Sequence, residues 1–361
     1  MSLTLLSDNA SIASLAERLA RAPHIALDTE FLRERTYRPQ LCLLQVATPD
    51  EEALVDPIAA ESLAALTPVL TDPRIPKILH AARQDLEVLW PVFGSLHPVF
   101  DTQIAAGLAG MPAQIGYSEL VRRLLGVELA KAETRTDWSR RPLSEAQLKY
   151  AVDDVRHLPG LRDALMDKLR ELGRLDWLAE ELHELADPER LFVNPETAVD
   201  RLRWQGELDP DRARLAQQLA AWRERRASDR DRPRSWILDD AGLRAMVLRP
   251  PRSMEDLTAL TELPTGFVEH SGAEMLRIVR EAKMPEDLPP PSVRERPDAS
   301  HLARVKRLGS VLQQKATELA ITPEVLATRR ELESISRGNH EVDVLRGWRR
   351  AVLGEALLGA I

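Results

Sequence analysis

The sequence holds a single cysteine, Cys42, among 361 residues. A lone thiol cannot close an intrachain disulfide, and it excludes a cysteine-rich zinc site. A reducing, cytoplasmic setting is therefore expected. Long apolar runs are missing too. No stretch approaches the roughly 20 apolar residues of a membrane span, so no membrane partner is expected. No basic segment followed by an apolar one opens the chain, and no secretory signal is expected. An excess of positive charge is also lacking: the net charge is −8, which at first sight argues against a nucleic-acid partner.

The distribution of charge is more informative than its sum. Residues 1–200 carry 21 Lys/Arg against 32 Asp/Glu, residues 201–300 carry 18 of each, and residues 301–361 carry 10 against 7. The acidity lies in the first half, where a cation-binding site could use it. The later segments are neutral to basic, which suits phosphates. Acidic helical surfaces that keep a protein soluble would give the same asymmetry. The length is enough for two or three domains and needs no covalent staples.

Short apolar runs at 24–28, 41–47 and 52–55, closely spaced, predict an antiparallel meander. Helical and strand patterns then alternate: a helix over 59–70, a strand at 76–80, a helix beginning at 84, a short strand ending at Phe100-Asp101 and a helix over 102–110. This order predicts an α/β domain with a mixed sheet flanked by helices. Beyond about residue 115 the pattern is almost wholly helical. Prolines at 188, 195 and 210 interrupt it and mark a linker. Residues 285–298 hold five of the 25 prolines and read as a stiff linker. The expected division is 1–190 for the α/β domain, then helical domains over 208–284 and 296–361.

Three groups of residues carry chemistry. In Ile25-Ala26-Leu27-Asp28-Thr29-Glu30-Phe31, Asp28 and Glu30 share one face of a strand. Two carboxylates at a buried strand end need a counter-charge, and a divalent cation supplies one. A strand that simply ends at Asp28, with both acids solvated, reads equally well. Asp85 falls in the first turn of a helix, where an acid is favoured by the helix dipole whatever its use. In the stretch leading to Tyr150-Ala151-Val152-Asp153-Asp154, Ser144 and Gln147 form a capping-box pattern that starts a helix. Tyr150 and Asp154 then share a helix face. An ordinary amphipathic helix would account for this third group alone.

Taken together, these motifs resemble the DEDDy branch of the 3′→5′ exonucleases, and within it the ribonuclease D family. The resemblance lies in whole phrases: Ala26 to Phe31, Arg35-Thr36-Tyr37-Arg38-Pro39-Gln40-Leu41, Leu79-His80-Ala81, Asp85-Leu86-Glu87-Val88, Asp101-Thr102-Gln103 and Arg135-Thr136-Asp137-Trp138. It is dense over roughly the first 175 residues. The helical segments are similar, more loosely, to HRDC domains (helicase and RNase D C-terminal). One departure is Ala81, where many such enzymes have Asn.

The resemblance implies a ribonuclease H-like fold followed by two all-α HRDC-like domains. It implies two divalent ions, Mg²⁺ or Mn²⁺, and 3′→5′ hydrolysis of RNA to nucleoside 5′-monophosphates. Asp28 would bridge both ions, Glu30 and Asp154 would hold the one that activates water, and Asp85 the other. Tyr150 would orient the water, since a phenol with a pKa of about 10 is a poor base. The implied partners are RNAs with a free 3′ end, tRNA precursors among them, acted on by a monomer with no obligate protein partner. Arg223, Arg225, Arg226, Arg230, Arg232 and Arg234 are candidates for phosphate contact, against the alternative of a salt-bridged helix face. A DNA 3′→5′ exonuclease would use the same carboxylates. An inactive nucleic-acid-binding adaptor would have no need of all four acids and the tyrosine.

Overall fold

The computed structural model describes residues 5–130, 136–185, 187–202, 204, 208–264, 266–282 and 298–361. Arg135 and the proline-rich segment 285–298, apart from Asp298, lie outside them. Two compact units emerge. The first comprises Met1–Leu32, Gln40–Leu191 and Pro297–Ile361, the second Arg33–Pro39 and Phe192–Arg296.

The first unit is built on a six-stranded mixed sheet of order β1-β4-β3-β2-β5-β6. Its elements are β1 (Leu5–Leu6), α1 (Asn9–Leu19), β2 (Ile25–Leu32), β3 (Gln40–Ala47), β4 (Glu52–Val55), α2 (Thr67–Leu70), β5 (Lys77–Leu79), α3 (Arg83–Phe93), β6 (Val99–Asp101), α4 (Thr102–Leu108), α5 (Tyr117–Leu125), α6 (Glu145–Arg156), α7 (Leu158–Glu171), α8 (Leu175–Leu185) and α9 (Pro188–Leu191). Strands β2, β3 and β4 form the antiparallel meander, while β2 pairs in parallel with β5 and β5 with β6. The helix expected over 59–70 is reduced to a 3₁₀ turn at Ala64–Leu66 and the single turn of α2. Pro68 sits in the first turn of α2, the place where proline fits a helix start.

The alternation of β2 sorts its side chains. Ile25 and Leu27 join a core with Leu44, Val46, Leu86, Val88 and Leu89, so this face lies against α3. On the other face, Leu43 and Leu54 pack with Ala151, Val152 and Trp138, which seats α6 there. Segment 299–361 shares a core with this same unit: Leu308, Leu312, Ala316 and Trp348 pack with Leu161, Leu165 and Leu178. The Trp177 and Trp348 rings stack at 4.5 Å, and Trp348 Nε1 donates to Glu181 at 2.7 Å.

The second unit is all helical. Its longest helix, α10 (Pro210–Arg230), is capped by the Asp209 carboxylate and buries Leu215, Leu219 and Trp222 against Leu243, Met246 and Phe267. Tyr37, in the β2–β3 connection, also belongs here. Its hydroxyl donates to Glu224, and the Arg234 guanidinium lies 5.1 Å from its ring. Among the described residues no helix is long and apolar enough to cross a membrane.

Candidate active site

β2 does not end at Asp28. It runs on to Leu32, so both acids lie inside the strand. Opposite them β3 carries a one-residue bulge: Glu30 pairs with Leu43 and Phe31 with Leu41, leaving Cys42 as the extra residue. Bulges bend a strand and re-aim its side chains. This one is tied down by Arg141, which donates to the Cys42 carbonyl at 2.7 Å and makes two 2.6 Å bonds to Asp56.

α6 begins as its sequence dictates. Ser144 Oγ accepts from Gln147 N at 3.2 Å, and the Gln147 side chain accepts from Ser144 N at 2.8 Å. The helix delivers Asp154 to the acids of β2. Asp28, Glu30 and Asp154 each offer an oxygen within 4.8 Å of the others. Tyr150, one turn earlier, lies beside Asp154 and is backed by Trp138, with ring centroids 6.1 Å apart. Asp153 turns elsewhere. Its carboxylate pairs with Arg156 at 3.0 Å, and its carbonyl accepts from the Tyr117 hydroxyl at 2.9 Å.

Asp85 stands apart from the set of three. It belongs to α3, on the other face of β2, and is buried. Thr29, between the two strand acids, donates its hydroxyl to Asp85 at 2.5 Å. The turn that aims α3 depends on Asp101, whose carboxylate accepts from Ala81 N at 3.1 Å and Ala82 N at 2.8 Å. It also caps α4 through Gln103 N and Ile104 N. Ala81 has φ +56°, a left-handed conformation that Asn tolerates better than Ala. His80 is held by Thr102 at 2.9 Å and the Ile115 carbonyl at 3.0 Å, as a structural histidine would be. Thr29, Asp101 and Tyr117 are the contributors that sequence reading left without a role.

The electrostatics follow from the crowding. Burial, then Asp85, Asp154 and Glu30, hold the Asp28 carboxyl well above the usual range. Burial, then Asp154 and Asp85, push Glu30 up to about 8. Burial raises Asp85 to about 7, against the opposing bond from Thr29. It raises Asp154 to about 7 as well, against the opposing effect of the Tyr150 hydroxyl. Tyr150 itself is driven above its ordinary value by burial and by Asp154. Four acids that cannot all ionise together lack a positive charge. All four donors are hard oxygens, the chemistry that Mg²⁺ and Mn²⁺ prefer, so the residues present fit such ions.

The arginine group of the second unit is more divided. Arg223 is buried, and its guanidinium donates to the Leu238 carbonyl at 3.1 Å and to Asp240 at 2.7 Å. Arg234 is bound to Glu224 at 2.5 and 2.8 Å. Burial of Arg223 and the two bonds from Arg234 to Glu224 tie these two to the protein's own structure, which leaves them less available for phosphate than the rest of the group. Arg225 pairs with Glu196 at the surface. Arg226 is half-buried and Arg230 and Arg232 are exposed, and Arg232 lies 5.9 Å from the Trp236 ring.

Residues 3–170 match the family described as "3'-5' exonuclease" and residues 212–279 the one described as "HRDC domain". Fold, site and match define the class: a ribonuclease H-like 3′–5′ exonuclease domain with a helical HRDC domain after it. Exonuclease domains of this type use divalent metals. Ribonuclease D of Nitrobacter hamburgensis is 39% identical, covering 99% of this chain and 94% of that protein. Ribonuclease D of Xanthomonas oryzae pv. oryzae is 40% identical, with 94% of each covered. The crystal structure of Escherichia coli RNase D, described as an exoribonuclease involved in structured RNA processing, superposes with a TM-score of 0.87 at 32% identity. The superposition covers 100% of this chain and 98% of that one. This chain belongs to the ribonuclease D family.

Proposed function

We infer that this protein is a 3′→5′ exoribonuclease that releases nucleoside 5′-monophosphates from a free RNA 3′ end. The observation that carries the reading is the half-buried carboxylate cluster of Asp28, Glu30 and Asp154, with Asp85 held nearby by Thr29. We propose two divalent ions, Mg²⁺ or Mn²⁺. Asp28, Glu30 and Asp154 would hold one, and Asp28 with Asp85 the other. Such ions, when bound, supply charge to the scissile phosphate and lower the pKa of the attacking water.

The chain's own residues do the rest. Thr29 fixes one oxygen of Asp85, and the other would be the one offered to an ion. Tyr150 keeps its proton, because burial and Asp154 raise its pKa. Its hydroxyl therefore orients water and does not act as a base. Arg225, Arg226, Arg230 and Arg232 are the remaining candidates for phosphate contact, and such contact would make RNA affinity salt-dependent. The segments 1–190, 208–284 and 296–361 would be the exonuclease and two HRDC-like domains. The substrates would include tRNA precursors and other small structured RNAs, trimmed by a cytoplasmic monomer without an obligate protein partner.

Incubation of 5′-labelled single-stranded RNA and DNA with Mg²⁺, Mn²⁺ or EDTA tests the reading. The expected result is a ladder shortening from the 3′ end, on RNA in preference to DNA, and none in EDTA. Preference for DNA would favour the deoxyribonuclease alternative, and binding without any shortening the adaptor. Products bearing a 3′-phosphate would exclude the mechanism.

A further inference from the structure

Gln45 is an anomaly inside the sheet. It lies in the middle of β3 with no exposed surface, and neither its amide nitrogen nor its amide oxygen has a hydrogen-bond partner. A buried, unpaired carboxamide is destabilising, whereas an apolar side chain of similar shape would avoid the loss. Nothing in the packing of the sheet asks for an amide at this place. Its neighbours on one side are apolar: β4 sets Leu54 opposite Gln45. Along its own strand the same face carries Leu43 and Ala47, and the helix packed there contributes Ala151 and Val152.

The other side differs. In the register of the β2–β3 pair, Gln45 lies directly opposite Asp28. Residues directly opposite in an antiparallel pair present their side chains on the same face, with Cβ atoms about 4.5–5.5 Å apart. That separation is within the span of a glutamine side chain. The remaining polar neighbour, Glu30, is diagonal to it and pairs with Leu43. The unpaired amide therefore lies beside the carboxylate through which the two proposed ions would be joined.

We propose that Gln45 is a positioning residue for Asp28. Its Nε2 donates to the Asp28 carboxylate in the loaded site, directly or through one buried water, and fixes which oxygens face the cations. The proposal rests on Asp28 being a metal ligand, as read above. It extends to this chain a general feature of metal sites, in which partners of the ligands set their orientation and affinity.

Isothermal titration of the full chain with Mn²⁺ tests it, on the parent, Asp28→Asn, Gln45→Met and Gln45→Leu, with a melt of each metal-free protein. The expected result for Gln45→Met is Mn²⁺ binding weakened about tenfold or more, with a metal-free Tm equal to or above the parent's. A purely structural amide would give the reverse, a lowered Tm with unchanged affinity. Gln45→Leu gives a second apolar side chain should Met pack badly. Loss of a cooperative melt in both would assign the amide to folding and overturn the proposal. Affinity within twofold of the parent in either folded variant, while Asp28→Asn no longer binds, would also overturn it and leave the site reading intact. Equal Mn²⁺ binding by parent and Asp28→Asn would instead overturn the site reading.

Discussion

Helices α10 and α6 are both rich in charge, and they handle it in opposite ways. On α10, charges of both signs alternate, and the two that are buried find partners on the segment that follows: Arg223 meets Asp240, and Glu224 meets Arg234. On α6, Asp154 faces two further acids. The first arrangement satisfies itself, and the second can be satisfied only by something added. A cluster of like charges kept half-buried is destabilising by itself. The fold nevertheless holds it with a capped helix, a tethered bulge and a short Thr29–Asp85 bond. Charge that the protein leaves unpaired marks chemistry, and charge that it pairs marks structure.

The largest expected effect follows from removing unpaired charge. Asp28→Asn should lower the single-turnover rate by roughly 10³-fold or more, since the ion at this place supplies several kcal/mol of transition-state stabilisation. Retention of more than a tenth of the parent rate would break the contrast. Tyr150→Phe should cost about 10²-fold, at the low end for one positioned proton-handling group. A full rate in that variant would make the tyrosine a packing residue against Trp138.

Acidity sharpens the same contrast. Glu30 raised to about 8, with Asp85 and Asp154 raised to about 7, hold protons that the unfolded chain releases near pH ~4. Their contribution favours the folded state at low pH. It is lost as pH rises from about 4 to about 8. Metal-free protein should therefore lose Tm from about pH 5.5 to about pH 8.5, and saturating Mg²⁺ should flatten that slope by taking the protons' place. Identical slopes with Mg²⁺ and with EDTA would show that the cluster does not bind the ion.

The paired charges of α10 should respond in stability. Arg223→Ala should cost about 1–3 kcal/mol by denaturant melts, because it strands the carbonyl of the buried Leu238. Arg230→Ala should stay within about 0.5 kcal/mol of the parent. If this residue contacts phosphate, the change should reduce the salt slope of RNA binding by about 1. A stability loss at Arg230 equal to that at Arg223 would remove the distinction.

Much of this was legible in the residues. Strand alternation placed Asp28 and Glu30 on one face, the Ser144–Gln147 pattern started α6, and helix spacing set Asp154 with Tyr150. What stayed hidden depends on partners distant in the chain. Thr29 reads as filler between two acids until α3 brings Asp85 to its hydroxyl, 56 residues away. Asp101 reads as a strand end until it gathers the amides of Ala81, Ala82, Gln103 and Ile104. The six arginines looked alike in sequence, and only burial separates Arg223 from Arg230. The 59–70 segment has the apolar content of a helix, but closes into a 3₁₀ turn and the single turn that holds Pro68. Segment 299–361 has its own helical pattern, yet its apolar face completes the first unit's core. Periodicity shows that a face is apolar and not which surface it covers.

The contrast is tested most directly on neighbouring residues of one helix. Asp153 is paired with Arg156, whereas Asp154 is gathered with Asp28 and Glu30. The measurement is Mn²⁺ titration of Asp153→Asn and Asp154→Asn, followed by single-turnover cleavage of one RNA, with melts to confirm folding. The account predicts that Asp153→Asn binds Mn²⁺ and cleaves within a few-fold of the parent, while Asp154→Asn loses both. An inactive Asp153→Asn beside an Asp154→Asn that still binds Mn²⁺ and cleaves would contradict it.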